Sequence, residues 1–240
     1  MRFFMLWMLL LVPGISLAAA GSVVHESPHQ KIDRVTVQMV TLIKEAKGYY
    51  DKEPERYHQG IEKIMDSLID FPSFARSVMG PYATKEYLAS LKTQEERDAY
   101  KANYSRFVII FRKGLVNTYG KGMLAFNGQN ITLAPLSDKE KELVAKGETI
   151  EVVQTIRGEK TYKVIYKMRP DKSGEWLLRN VIIGSVNLGS LYRNQFTAAM
   201  DKHNNDFGKV VDTWVTEAQL DAESAKDGSK AKDDGQKDNF

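Results

Sequence analysis

Residues 176–196, WLLRNVIIGSVNLGSLYRNQF, restrict the fold more than any other part of the chain. The segment opens as an apolar run of strand type, turns at Gly184-Ser185, and re-emerges with apolar residues at helical spacing. A strand that feeds straight into a helix sets a sheet face and a helix face on two sides of one space. The remaining sequence has to supply the other walls.

Upstream the pattern is helical. Ile32, Val35, Met39, Val40, Leu42 and Ile43 fit one face of a helix over 31–47, which Gly48 ends. A second helix is expected over 54–69, with Tyr57, Ile61, Ile64, Met65, Leu68 and Ile69 inward and Pro54 in its first turn. Phe71-Pro72 starts a short third helix that Gly80-Pro81 closes. Thr93-Gln94-Glu95-Glu96 is a capping box, so the longest helix begins there. It runs to about Tyr119, or on to Phe126 past a kink at Gly120 or Gly122. Ile109 and Ile110 widen its stripe, as expected of a helix deep in a core or facing a cavity.

After Asn127-Gly128 the period changes. Segments 131–134, 149–157, 160–169 and 175–183 read as four strands, joined in the later part by turns at 157–159 and 170–174. Connections this short permit only antiparallel neighbours. Tyr162, Val164, Tyr166 and Met168 alternate with Lys163, Ile165, Lys167 and Arg169, so one face is wet and the other covered. Helices over 188–203 and 206–220 close the sequence of elements. The expectation is an α+β domain, a curved antiparallel sheet of about four strands with helices packed over one face.

Both ends stand apart from that domain. Residues 1–20 carry Arg2, an apolar run and then Ala18-Ala19-Ala20, the layout of a secretory signal peptide cleaved near Ala20. No cysteine follows to take a lipid. Residues 221–240 hold only Phe240 as a large apolar side chain and are expected to be a disordered charged tail. A single domain over 21–220 remains. The formal charge is +3; losing Arg2 removes one, and losing a tail of four Lys against six acids adds two, leaving about +4. Those charges are interleaved rather than blocked, which argues against nucleic acid and weakly for an anionic partner or surface. The chain has no cysteine, so no disulfide, thiol catalysis or Cys-ligated metal enters the argument.

Little else looks like chemistry. His25-Glu26-Ser27-Pro28-His29 has the letters of the H-E-x-x-H zinc motif, but Pro28 pushes Ser27 out of the helical region that the motif needs. There is no Gly-rich phosphate loop and no G-x-S-x-G elbow. No metal or cofactor is expected. The informative excess is apolar and aromatic: Phe74, Val78, Met79, Phe107, Phe111, Tyr162, Tyr166, Trp176, Leu178, Val186, Leu188, Tyr192 and Phe196 can all meet between sheet and helices. Periodicity alone reads these equally as a filled core or as the walls of an apolar pocket.

Three dispersed segments carry a family resemblance. Phe71-Pro72-Ser73-Phe74-Ala75-Arg76-Ser77-Val78-Met79-Gly80 resembles the F-D…F-A-R-x-V-M-G segment of the MlaC family of periplasmic phospholipid-binding proteins, also known as toluene-tolerance auxiliary proteins. The helix begun at Thr93, with Phe107, Leu115 and Thr118-Tyr119, is similar to a second family segment. Residues 176–196 resemble a third, most closely at Tyr192-Arg193-Asn194-Gln195-Phe196. Asn180, Ser185 and Asn187 depart from the family's usual Asp, Gly and Ser.

The resemblance implies an NTF2-like fold and a non-enzymatic, monomeric carrier with its acyl chains in an apolar cleft. The cleft walls would come from the residues just named together with Val108, Leu115, Val152 and Val164. Arg76, Arg112 and Arg193 would form the headgroup rim. Its partners would be an outer-membrane lipoprotein–porin complex and an inner-membrane ABC transporter with an MCE-domain subunit. Two other readings stay open: an NTF2-like isomerase or hydratase, and an adaptor that binds a partner helix.

Overall fold

Helix starts follow capping chemistry. In this computed structural model, which describes residues 26–214, seven of the eight α-helices begin at a side chain that takes up a backbone N–H their first turn cannot pair. These are α1 (Pro28–Ala46) at Ser27, α3 (Phe71–Met79) at Asp70, α4 (Lys85–Ser90) at Thr84 and α5 (Gln94–Met123) at Thr93. The others are α6 (Asp138–Ala145) at Ser137, α7 (Leu188–Lys202) at Asn187 and α8 (Phe207–Thr213) at Asp206. Helix α2 (Pro54–Leu68) has no side-chain cap and starts on its proline instead.

The strands β1 (Asn130–Leu133), β2 (Ile150–Arg157), β3 (Thr161–Pro170), β4 (Trp176–Ile183) and β5 (Val186–Asn187) form one antiparallel sheet in sequence order. A register shift at Lys167/Met168 interrupts the β3–β4 ladder. The α+β class and the meander are as the sequence implies.

Several details differ. The fifth strand is two residues long, too short for alternation to reveal. Helices α4 and α6 went unforeseen because neither buries a residue and so neither shows an apolar stripe. Helix α5 passes through Gly120 and ends at Met123; there Gly120 admits Ile61, whose Cγ2 would lie 3.3 Å from an added Cβ. Ile109 is 64% exposed and faces solvent, whereas Ile110 packs on the edge of the helical core, so the stripe on α5 widens by one residue and not two. The leader segment 1–20, His25, residues 215–220 of the last expected helix and the tail 221–240 lie outside the described residues.

Two apolar clusters result. The larger joins α2, α3, α5, α7 and α8, where rings interlock: Phe107 meets Phe196 at 5.0 Å and Trp214 at 5.1 Å, and Phe111 meets Phe74 and Tyr192 at 5.4 Å. The smaller lies under the sheet, where Ile32, Val35 and Leu68 pack on Ile150, Val152, Met168, Trp176 and Leu178. Polar ties hold α1 to the sheet side. Lys31 Nζ, almost fully buried, donates to Glu175 Oε1 at 2.6 Å, and His29 Nε2 donates to the Ala134 carbonyl at 2.7 Å. Glu26 accepts from Arg34, so the described members of the zinc-motif letters serve as ordinary structural contacts. The α2–α3 junction is stitched to β4 by a bridge at Ile69 and Leu178 and by the Arg179–Asp70 ion pair.

Candidate ligand-binding cavity

Between α1, α2, the C-terminal part of α5 and the inner face of β2–β4, the packing fails to close. A cavity of about 1220 Å³ opens there. Its helical wall is Ile32, Val35, Met39, Val40 and Ile43 from α1, Ile64, Met65 and Leu68 from α2, and Leu115, Tyr119 and Met123 from α5. The sheet supplies Gln154, Ile156, Tyr162, Val164, Tyr166, Leu178, Val181 and Ile183, and Phe74 and Leu188 add to the lining. At one end the boundary turns polar: residues 127–130 and the 157–160 hairpin, which carries Arg157, Glu159 and Lys160.

Inside, one polar chain crosses from sheet to helix. The Tyr166 hydroxyl donates to Gln154 Oε1 at 2.8 Å, Gln154 Nε2 donates to Thr36 Oγ1 at 2.9 Å, and Thr36 Oγ1 donates to the Ile32 carbonyl at 2.7 Å. Burial pushes the Tyr166 phenol above its ordinary range, so this chain is uncharged through the physiological range.

Of the residues the sequence singles out, Phe74, Leu115, Tyr162, Val164, Tyr166, Leu178 and Leu188 come together on this wall. Val78, Met79, Phe107, Phe111, Tyr192 and Phe196 do not. They fill the helical cluster with almost no exposure, because large rings at helical spacing close the space between helices. Val108 packs on the edge of that cluster. Val152 and Trp176 are buried in the smaller cluster beyond the cavity, and Val186 is 46% exposed at the β4–β5 turn.

The three arginines are also elsewhere. Arg112 makes two 2.6 Å bonds to Asp66, which hold its guanidinium above its ordinary pKa; Arg193 bonds the Ser77 carbonyl and hydroxyl; Arg76 lies over the Tyr104 ring. The cations at the cavity mouth are Arg157 and Lys160, neither of which is among the residues expected at the headgroup rim. The apolar faces of α1 and α2 are not among the cleft walls that the resemblance implies, yet here they form the helical wall.

The segment 176–196 shapes one corner of this space. Gly184, at φ +61°, makes the turn into β5, and Asn187 caps α7. Asn180 Nδ2 donates to Asn187 Oδ1 at 2.9 Å. Two of the three departures thus bond each other.

The chain is similar to known proteins in sequence and in fold. The toluene tolerance protein ttg2D of Pseudomonas putida is 28% identical over 211 residues, covering 88% of this chain and 90% of that protein. A phospholipid-binding protein from Ralstonia solanacearum, solved in complex with a phospholipid, superposes with a TM-score of 0.62. It covers 78% of this chain and 94% of its own at 16% identity, and so shares the fold. The sequence profile of the MlaC protein family matches residues 33–216, most of the described structure and of the chain, and the protein therefore belongs to the MlaC family.

Proposed function

We propose that this protein is a periplasmic carrier that holds the acyl chains of a glycerophospholipid in the cavity, with the headgroup at the 127–130 and 157–160 end. The observation that carries the reading is the cavity itself, roomy, with a wall that is mostly apolar and crossed by one uncharged polar row, and polar at one end. A water-sized group occupies about 30 Å³, so this volume holds on the order of forty methylene-sized groups, the hydrocarbon of one two-chain lipid. Hydrocarbon burial stabilises by about 0.8 kcal/mol per CH2, or on the order of 20 kcal/mol for two chains. A carrier has to shelter nearly all of that, which calls for a long apolar wall rather than a few strong contacts.

The wall chemistry supports a container over a catalyst. Its charged members among the described residues, Arg157, Glu159 and Lys160, stand at the mouth, and the interior offers tyrosine, threonine and an amide but no carboxylate or imidazole. The resemblance to phospholipid-binding proteins supplies the cargo class. We infer that residues 1–20 direct export and that exchange occurs with an outer-membrane lipoprotein–porin complex and an inner-membrane ABC transporter bearing an MCE-domain subunit. Protein expressed with its leader and purified without detergent is expected to yield phospholipid on chloroform–methanol extraction, read by mass spectrometry. A lipid-free extract would overturn the proposal.

A further inference from the structure

We propose that the hydrogen-bonded row Tyr166–Gln154–Thr36 is the floor of the cavity and sets the longest acyl chain the protein retains. The inference rests on the lipid reading above and adds a specificity determinant to it. Four positions of β2 face inward, Ile150, Val152, Gln154 and Ile156, and the cavity wall reaches only the last two. On β3 the wall includes Tyr162, Val164 and Tyr166 and stops short of Met168. In the register Val152 stands opposite Tyr166 and Gln154 opposite Val164, so Gln154 and Tyr166 are diagonal neighbours at the last row of β2 and β3 that borders the void, and beyond it only the flanks of the lining continue, at Ile32, Leu68 and Leu178. One row further on these strands Ile150, Val152, Met168 and Trp176 pack against one another in the smaller cluster and none of them borders the void.

The chemistry of that row differs from the rest. Aromatic side chains aside, the only buried side chains that are polar or charged among the described residues are Lys31 and Gln154. Lys31 is explained by Glu175. Gln154 sits amid apolar neighbours and uses both ends of its amide to span from Tyr166 on the sheet to Thr36 on α1. A hydrocarbon chain that enters from the polar mouth meets this row end-on. To advance it has to part Gln154 from Thr36, which separates α1 from the sheet and leaves buried polar groups without partners. That cost exceeds what burying one or two more methylenes returns. A floor of Leu or Met would give way by changing rotamer, whereas a hydrogen-bonded cross-tie resists until it breaks.

The test reads chain length, which a merely structural tie would not move. The full chain is delipidated and offered an equimolar series of phosphatidylglycerols whose saturated chains lengthen two carbons at a time, with bound species read by native mass spectrometry. The wild type is expected to show a sharp cutoff. Gln154→Leu with Tyr166→Phe, which removes both partners together, is expected to raise the ratio of long-chain to short-chain lipid retained about tenfold. Thr36→Val, close to isosteric, breaks only the helix end and is expected to move the cutoff the same way without threatening the fold. Variants that bind lipid with the wild-type cutoff would overturn the proposal and leave the carrier reading intact. A wild type that takes up none of the series would overturn both.

Discussion

Asn180 Oδ1 accepts the backbone N–H of Gly189 at 2.9 Å, across the turn that carries the chain from β4 into α7. The contact leaves no room for a side chain at 189, where an added Cβ would lie 2.7 Å from that oxygen. The sheet wall and the α7 wall are therefore joined at one backbone-to-side-chain contact that only glycine allows. Gly189→Ala is expected to destabilise the fold by about 1–3 kcal/mol, the usual range for overpacking a filled site. Urea denaturation checks it, and a second substitution, Asn180→Ala, should recover part of the loss because the two residues couple directly.

Core and cavity make opposite predictions. Phe111 is fully buried between Phe74, Phe107 and Tyr192, so Phe111→Ala is expected to cost about 3–5 kcal/mol of stability. Met39 is half-buried on α1 and faces the void. Met39→Asp should leave the thermal midpoint nearly unchanged while abolishing lipid retention, since a carboxylate among acyl chains is unpaired and desolvated. Parallel thermal scans and lipid extraction separate the two effects. Equal losses of stability in both variants would place Met39 in the core.

The same contrast explains what could be read from residues alone. Capping at Thr93 announced α5 because a strong apolar stripe follows it, whereas the equivalent Ser137–Glu140 box heads a helix that buries nothing. By size and spacing Phe107, Phe111 and Phe196 fit a filled core and a pocket wall equally, the family resemblance implies the wall, and their size is the reason they fill the helical core instead. The actual walls on α1, Ile32, Val35, Met39 and Ile43, have the periodicity of any inward face. Whether such a face meets a neighbour or a void depends on how far α1 stands from the sheet, and that distance is set by contacts such as Gln154 to Thr36, 118 residues apart. No local pattern encodes it.

Buried phenols predict alkaline sensitivity. Tyr57 is fully buried, donates to the Gly120 carbonyl at 2.7 Å and is pushed up to about 12 by burial; Tyr166 is raised further by the same cause. Unfolded, each ionises near pH 10. Above that pH the unfolded state gives up protons that the native state retains, so stability is full below about pH 10 and falls as pH rises toward the folded values. The slope is at most about 1.4 kcal/mol per pH unit for each phenol. Denaturation midpoints between pH 9 and about 11.5 test this, and Tyr166→Phe should flatten the slope by up to one phenol's share.

The mouth gives the last prediction. Arg157 and Lys160 flank Glu159 on the hairpin that borders the polar end of the cavity, and Arg157 is steadied by the Thr132 hydroxyl at 3.1 Å. All three residues of this hairpin are exposed, so their charge acts on approach and orientation more than on the affinity of a seated lipid. Reversing both cations, Arg157→Glu with Lys160→Glu, should slow uptake of fluorescent lipid from anionic vesicles by roughly tenfold at low ionic strength. At high salt, where the Debye length shrinks to about 3 Å, the difference should largely vanish. The yield of lipid already bound at purification should change little, because the acyl chains are held by the apolar wall. Arg112→Glu is the matching control: its partner Asp66 lies on α2 away from the mouth, so that change should lower stability and leave the salt dependence of uptake as it was. If the hairpin reversal altered retention but not rate, the headgroup would sit deeper than the 157–160 turn and the lipid would enter by another route.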